Sequence, residues 1–184
     1  MAKAMTGSFY LTETITIPAN SAAPTRIQGS IDLGAYVNVA TGQAVAVESV
    51  DFIFQCGASS MHSEVSSMLA GNGALTTQLT DLNPGTAFVR ADNQSLIASS
   101  ALNIDQTNNI ATHAADMYPD NFGPAALSEA FMVVNDTLYL VAGPHGAAIG
   151  TADVFVTARI KCRVAKLSNK DFVAIAIQST ASDN

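Results

Sequence analysis

Five of the eight cationic residues in the chain lie close together near its C-terminal end. They are Arg159, Lys161, Arg163, Lys166 and Lys170. The first three alternate along one predicted strand, so their side chains would share a face at a spacing of about 6.6 to 7 Å, which suits a row of phosphates or carboxylates. No aromatic side chains are placed among them for base stacking. We therefore interpret this group as a candidate inter-subunit or polyanion contact, and favour a solvated or inter-subunit salt-bridged face over nucleic acid, which remains the weaker alternative.

The residue types that most often bind metals or act as nucleophiles show no catalytic pattern. His62, His113 and His145 are isolated, and none has the HxH, HExxH or HxxxH spacing that places two metal ligands on one element. Cys56 and Cys162 have no CxxC spacing and no nearby histidine, and sequence alone leaves their pairing in a disulfide open. No GxSxG nucleophile elbow is present. The sequence therefore predicts a protein that is not an enzyme and has no metal or cofactor.

Two acidic residues interrupt apolar strands. Asp51 and Asp136 lie between apolar neighbours, where a carboxylate must be paired or reach solvent because an unpaired buried charge is unfavourable. A pair of buried acids could be catalytic. A bulge position, an edge strand protected against aggregation, or pairing with Arg26 or Arg90 is the interpretation that we favour.

Charge is scarce and unevenly distributed along the chain. Only 12% of the 184 residues are charged, and the net charge is −7. Residues 1–150 hold 3 bases and 12 acids, a net charge of −9, whereas residues 151–184 hold 5 bases and 3 acids, a net charge of +2. An ordinary nucleic-acid binder would be basic overall. Any polyanion contact would therefore use the C-terminal segment, and the low charge suits a surface covered by neighbours.

Alternation of apolar and polar residues predicts a series of β-strands. The clearest runs from Asp153 to Val164, where every second residue from Val154 onward is apolar. Further strands are predicted at 8–17, 25–39, 43–56, 74–82, 86–91, 95–102 and 131–142, the second of them divided or bulged at its two glycines.

Three segments depart from this pattern. Helical spacing predicts a short helix over 60–71. Residues 103–130 have little periodicity and predict a long inter-strand loop with a short helix at 124–130. Near the C-terminal end, Ser168 is expected to cap a turn through Asp171, and the alternation over 172–177 favours a last edge strand over a helix.

About eight strands with one or two short helices, and no β-α-β alternation, predict an all-β fold: an antiparallel β-sandwich or jelly roll. The length and the 48% hydrophobic content suit one domain over residues 1–184, with 1–7 and 178–184 expected to be flexible. The start of the chain lacks the apolar region of a signal peptide, and no run approaches the ~20 apolar residues of a transmembrane segment.

A β-rich, charge-poor chain of this size, heavy in Ala, Ser, Thr and Asn, resembles a single jelly-roll capsid (coat) protein of a small icosahedral virus. The resemblance is one of overall profile and covers roughly residues 8–177. It implies self-assembly into a homo-oligomer, contacts with other capsid proteins, inter-subunit contacts through 103–130, and location in the virion. One departure is that residues 1–25 contain Lys3 as their single basic residue, where many such proteins carry an Arg-rich arm. This argues against direct genome packaging and leaves a membrane-lined virus or a minor structural role open.

The sequence therefore predicts a structural protein that self-assembles into a viral capsid or a similar symmetric shell. The alternative is a ligand-binding β-sandwich module, carbohydrate-binding or adhesin-like, with a cytoplasmic location since no signal peptide is found. Four Tyr and no Trp weaken this alternative, because sugar sites usually contain aromatic platforms.

Overall fold

The computed structural model describes residues 2–57, 65–115 and 131–181. In these ranges the chain forms ten strands, one α-helix and two 3-10 helices, Val39–Thr41 and Val65–Met68. The strands are β1 Lys3–Ala4, β2 Phe9–Ile17, β3 Ile27–Asp32, β4 Gln43–Cys56, β5 Gly73–Thr80, β6 Leu96–Asp105, β7 Ile110–Ala115, β8 Phe131–Val133, β9 Thr137–His145 and β10 Val154–Lys166, and the helix is α1 Asn169–Ala181.

The strands form two antiparallel sheets. In the first sheet, β10 pairs with β1 and β2 along one edge and with β4 along the other, and β4 continues to β8. The second sheet has the order β3-β9-β5-β6-β7. The pairs β2·β10, β3·β9, β4·β8 and β5·β6 are nested, as in a long hairpin that has been rolled up, which is the strand order of a jelly roll. The predicted fold class is confirmed.

The alternation that predicted the last strand separates its two faces. Every second residue of β10 from Val154 to Cys162 is fully buried, because these side chains face the second sheet. One apolar core joins both sheets. Its largest members from the second sheet are Leu75, Leu79, Leu138 and Leu140.

One end of the sandwich, which we call the helical end, carries α1 and two of the connections between the sheets. The segments 33–42 and 134–136 link β3 to β4 and β8 to β9 there. The side chain of Phe172 in α1 packs with Ala44 and Leu167 in a second, smaller apolar cluster. Further along the helix, Gln178 Nε2 donates to Gln94 Oε1 at 3.3 Å, so α1 reaches from the end of β10 to the loop before β6. We call the opposite end, with the β6–β7 turn, the hairpin end.

The expected edge strand at 172–177 is wrong, because these residues lie in α1, which extends to Ala181 and so includes the start of the segment expected to be a flexible tail. Residues 182–184 lie outside the described ranges. The alternation over 172–177 arises because the helix has apolar side chains both against the sandwich, at Phe172 and Ile175, and on its exposed side, at Val173. The capping role of Ser168 is confirmed: Asp171 N donates to its Oγ at 3.2 Å.

The long loop expected at 103–130 is wrong for its first part. Strand β6 continues to Asp105, and β7 pairs with it as the last strand of the second sheet. The sequence signal was weak because β7 is exposed from Ile110 to His113, so it carries no clear apolar face. The predicted helix at 124–130 lies outside the described residues, as does the start of the helix predicted at 60–71, of which Val65–Met68 forms a 3-10 helix.

The strand predicted at 86–91 is not formed. Its backbone pairs with a side chain: the buried Gln78 amide accepts from Val89 N at 2.8 Å and donates to Val89 O at 3.0 Å. The strand predicted at 131–142 is divided into β8 and β9, which lie in different sheets. At the N-terminal end, Lys3 and Ala4 of the segment expected to be flexible pair with Lys166 and Ala165.

The Gln78 contact generates a stability prediction. Gln78→Ala should lower the free energy of unfolding by about 2 kcal/mol, since it leaves the N–H and C=O of Val89 without their partner. Denaturant unfolding measures the effect. The control is Gln94→Ala at an exposed glutamine, with an expected change within about 0.5 kcal/mol. Equal losses in the two variants would contradict this role of Gln78.

Candidate functional site

Three of the five predicted cationic residues lie together on the outer face of the first sheet. Arg159, Lys161 and Arg163 alternate with buried residues of β10, so they point away from the core. The structure therefore places them in a row, as the alternation predicts. What they contact decides whether the row can bind a polyanion.

A β-bulge places a carboxylate within this row. Lys161 is opposite Ser49 of β4, whereas Cys162 is opposite Val47, so Glu48 is an extra residue without a cross-strand partner. Glu48 lies on the outer face because its neighbour Val47 points into the core, and the bulge then shifts the phase so that Phe52 and Phe54 also point inward. Glu48 is 8% exposed, a burial that requires compensation of its charge.

Glu48 is compensated by three side chains. Arg163 Nε lies 2.5 Å from Oε1, and Lys161 Nζ lies 3.4 Å from Oε2. The Ser8 hydroxyl lies 3.1 Å from Oε1 and 3.0 Å from Oε2 as a hydrogen-bond donor. Two cations and one hydroxyl from β10 and the segment before β2 thus converge on a single buried carboxylate of β4.

Arg159 lies further along the same face, and its guanidinium carbon is 4.4 Å from the centroid of the Tyr10 ring. In register, Arg159 is opposite Asp51 of β4. Asp51 is exposed, so its carboxylate reaches solvent, and the arginine opposite it is neither of the two suggested from the sequence. The three cations of the row therefore share their face with two carboxylates, and the net charge of the face is +1.

The other two predicted cations are not part of the row. Lys166 is at the end of β10, opposite Lys3 of β1, and Lys170 is in the first turn of α1. Both are exposed at the helical end. The five cations are neighbours in the sequence. The fold separates them into the row on the outer face, whose charge is largely compensated by carboxylates, and two lysines at the helical end.

The described histidines are not assembled into a site with each other. His145 ends β9, opposite Ala74, whereas His113 on β7 contacts Phe54 edge-on with ring centroids 5.6 Å apart. His113 Nε2 also lies 2.8 Å from Ser100 Oγ. The Ser100 hydroxyl also lies 3.0 Å from Ala114 O, and which group donates in its contact with His113 depends on the imidazole tautomer. His62 lies outside the described residues.

An apolar cavity of about 230 Å³ lies beside His113. Its walls include Phe52 and Phe54 of β4 and Leu102 of β6, so it opens between the two sheets. Ligand pockets usually have volumes of about 300 to 1,000 Å³, so this cavity is small for an organic ligand.

The two cysteines lie far apart on the first sheet. Cys56 is beside Val154, and Cys162 is eight residues further along β10, which separates them by about 26 Å in a strand. A disulfide between them is therefore excluded. Burial raises the pKa of the Cys162 thiol to about 12, and the nearby Glu48 charge contributes, so this thiol is inert.

The buried acids are not the two that the sequence suggested. Asp136 is exposed like Asp51, whereas Asp81 is only 2% exposed. Asn135 Nδ2 donates to Asp81 Oδ2 at 3.2 Å and to its backbone oxygen at 3.0 Å, but Oδ1 has no hydrogen-bond partner within the described residues. Burial is the main reason that the pKa of Asp81 rises to about 6. Arg26, a suggested partner for these acids, instead stacks on Phe88 at 4.2 Å.

Glu48 could have been found from the phase of the apolar pattern. Val45 and Val47 are buried on odd positions, whereas Phe52 and Phe54 are buried on even ones. Such a change of phase within one strand requires an extra residue between the two runs. The local sequence gives no such sign for Asp81, because its hydrogen-bond partner Asn135 is distant along the chain.

Comparison of the sequence with protein-family models and with curated proteins gives no match. In the ranges that the structure describes, no three His, Cys, Asp or Glu side chains are grouped so that they could hold a metal ion. None of the described helices has the length and apolar character needed to cross a membrane.

We expect Glu48→Gln to lower the free energy of unfolding by about 3 kcal/mol, because Arg163 and Lys161 would keep their positions without the compensating charge. Chemical denaturation at neutral pH measures this. Asp51→Asn, on the same strand and face but exposed, is the matched control and should change stability by less than about 1 kcal/mol. A loss no larger than that of the control would show that the cluster is energetically unimportant.

Asp81 predicts a pH dependence of stability. Its pKa in the folded state, about 6, lies above the ordinary value of 3.8, so the folded protein binds the proton more tightly than the unfolded chain. The contribution of Asp81 to stability is therefore greatest below about pH 4 and is lost as the pH rises through 6. Asp81→Asn should raise the free energy of unfolding at pH 7.5 by about 3 kcal/mol and leave it nearly unchanged at pH 4.

Thermal or denaturant unfolding between pH 4 and 8 tests this behaviour, with Asp92→Asn at an exposed acid as the control. Parallel stability profiles for the native chain and Asp81→Asn across that range would contradict it.

Proposed function

We propose that this protein is a structural subunit that self-assembles into a closed shell, as a viral capsid protein or a component of a similar symmetric assembly. The observation that carries the proposal is the nested jelly-roll strand order. Capsid subunits, lectin domains and cupins use this framework. Because a fold does not by itself assign a function, the choice among these classes depends on the surface and on the residues that could do chemistry.

The outer face of the first sheet supports a role in protein–protein contact. Its cations are balanced within the sheet, by Glu48 for Lys161 and Arg163 and by the register of Asp51 with Arg159. A face with a net charge of +1 gives little counterion release on binding a nucleic acid. It can be covered by another subunit without leaving isolated charges, and Tyr10 with Arg159 supplies residue types that are enriched at interfaces.

Exposed apolar side chains occur on several parts of the surface. They lie on the outer face of the first sheet, at the hairpin end and at the helical end. Closed assemblies need contact surfaces in several directions, which such a distribution provides. In the described residues the large ones are Met5, Tyr10, Val39, Ile110, Val173 and Ile177.

A ligand-binding module is the second candidate, favoured by the cavity of about 230 Å³ between Phe54 and His113. The small size of that cavity argues against this second candidate. The exposed Tyr10 ring, which could serve as a sugar platform, is stacked against Arg159. Saturable binding of a glycan or of a small apolar ligand by a monomeric protein would support this second candidate.

Assembly is measured by multi-angle light scattering and negative-stain imaging of one purified fraction. We expect discrete rings or shells with masses that are multiples of 19.0 kDa. Nuclease treatment and absorbance ratios establish whether the particles contain nucleic acid. A 19.0 kDa monomer at millimolar protein, across low and high salt and between pH 5 and 8, would refute the proposal.

A further inference from the structure

Helix α1 is apolar on two sides. Phe172 and Ile175 pack against the sandwich, while Val173 is 53% exposed and Ile177 is 61% exposed. From Phe172 to Ala181 the helix contains no charged side chain. A helix on a protein surface ordinarily has a polar outer stripe, and one with apolar residues all round is typical of a buried position.

Two further exposed apolar side chains lie beside this helix at the helical end. Gln43 Nε2 contacts Met5 Sδ at 3.7 Å, and Val39 begins the 3-10 turn that ends just before Gln43. The same turn is joined to the start of α1 by the bond from Leu167 N to Gly42 O, 2.8 Å long. Val39 is 68% exposed and Met5 is 49% exposed. We call these four exposed apolar residues of the helical end, Met5, Val39, Val173 and Ile177, the end patch.

The charges around the end patch differ between its two sides. The side of the first sheet carries Lys3, Lys166 and Lys170, and Asp171 reduces its excess to two positive charges. The side of the second sheet carries Asp32, Asp92 and Asp136, and Arg90 reduces its excess to two negative charges. The contact between Gln178 and Gln94 shows that α1 extends from one side to the other.

We infer that the end patch is the interface with a second copy of this chain, related by a two-fold axis through the helical end. This inference rests on the proposed self-association and names the surface that it uses. A two-fold axis along the boundary between the two sides places the lysine side of one copy against the aspartate side of the other. The surface is then complementary to itself in charge, with apolar side chains at its centre. An anionic membrane would fit the lysine side only, because the aspartates at the same end would be repelled.

The apolar centre is tested with Val173→Asp and Val39→Ser, both at exposed positions where the fold does not depend on the side chain. The control is Ala111→Asp, at an exposed residue near the hairpin end that is not among the large exposed apolar side chains. Sedimentation velocity over a concentration series should show dimer dissociation constants at least about tenfold higher for Val173→Asp and Val39→Ser than for the native chain and the control. Circular dichroism and thermal unfolding verify that each variant is folded.

The charge pattern is tested by mixing two variants. Lys166→Glu with Lys170→Glu makes both sides of the end patch negative, and Asp92→Lys with Asp136→Lys makes both sides positive. Neither double variant should dimerise alone, whereas an equimolar mixture should form a heterodimer. Formation of the heterodimer on mixing requires direct contact between the two variants at the end patch. It therefore distinguishes an interface at this patch from a general loss of solubility.

The outcomes distinguish this inference from the proposed function. If the native chain assembles and the Val173, Val39 and charge variants assemble equally well, the end patch is not the interface, although self-association stands. If the native chain is monomeric under all conditions, both fail. Flotation of the monomer with vesicles containing phosphatidylserine, abolished by Val173→Asp, would overturn the inference in favour of a membrane surface.

Discussion

The ladder between β4 and β10 is the contact on which the rest of the sandwich depends. It joins thirteen residue pairs, and β10 is hydrogen-bonded on its other edge to β1 and β2. Such a strand must satisfy its backbone on both edges, bury one face and expose the other. The alternation of β10 meets these conditions, and its inner residues, from Val154 to Cys162, are inaccessible to solvent.

The bulge at Glu48 reconciles this ladder with the charges on its outer face. Without the extra residue, the alternation that directs Val47 inward would place the apolar run after the bulge, with Phe52 and Phe54, on the outer face. With it, the apolar runs of β4 before and after the bulge both face inward, and the carboxylate meets Arg163 and Lys161. One local irregularity therefore maintains the core, compensates the cations of β10 and leaves an almost neutral outer wall.

The sequence predicted the strands whose pattern of apolar residues is regular. Strands β2 and β10 are predicted because burial alternates along them, and β4 because it is long and apolar. The jelly roll follows from the number of strands and from the absence of β-α-β units. Helix α1 was mistaken for a strand because its two apolar sides produce an alternation of their own. The segment at 86–91 has strand-forming residues but lies beside Gln78, and no local pattern reveals that a distant side chain satisfies its backbone. The cationic row is predicted, and the phase change in β4 indicates an extra residue near Glu48. Its pairing with Arg163 and Lys161, however, depends on the register between β4 and β10, which no local pattern gives.

The strand order also determines when the first sheet can be completed. Strands β2 and β4 do not pair with each other and meet only through β10, which is the last strand along the described chain. The pairing of Phe9 with Cys162 closes a loop of about 150 residues, and contacts of such sequence separation form slowly. During synthesis, β2 and β4 are made long before the strand that lies between them, with their hydrogen-bonding edges open to incorrect partners. The first sheet can therefore be completed only after β10 is synthesised, and until then the edges of β2 and β4 that β10 will cover have no partner within this sheet.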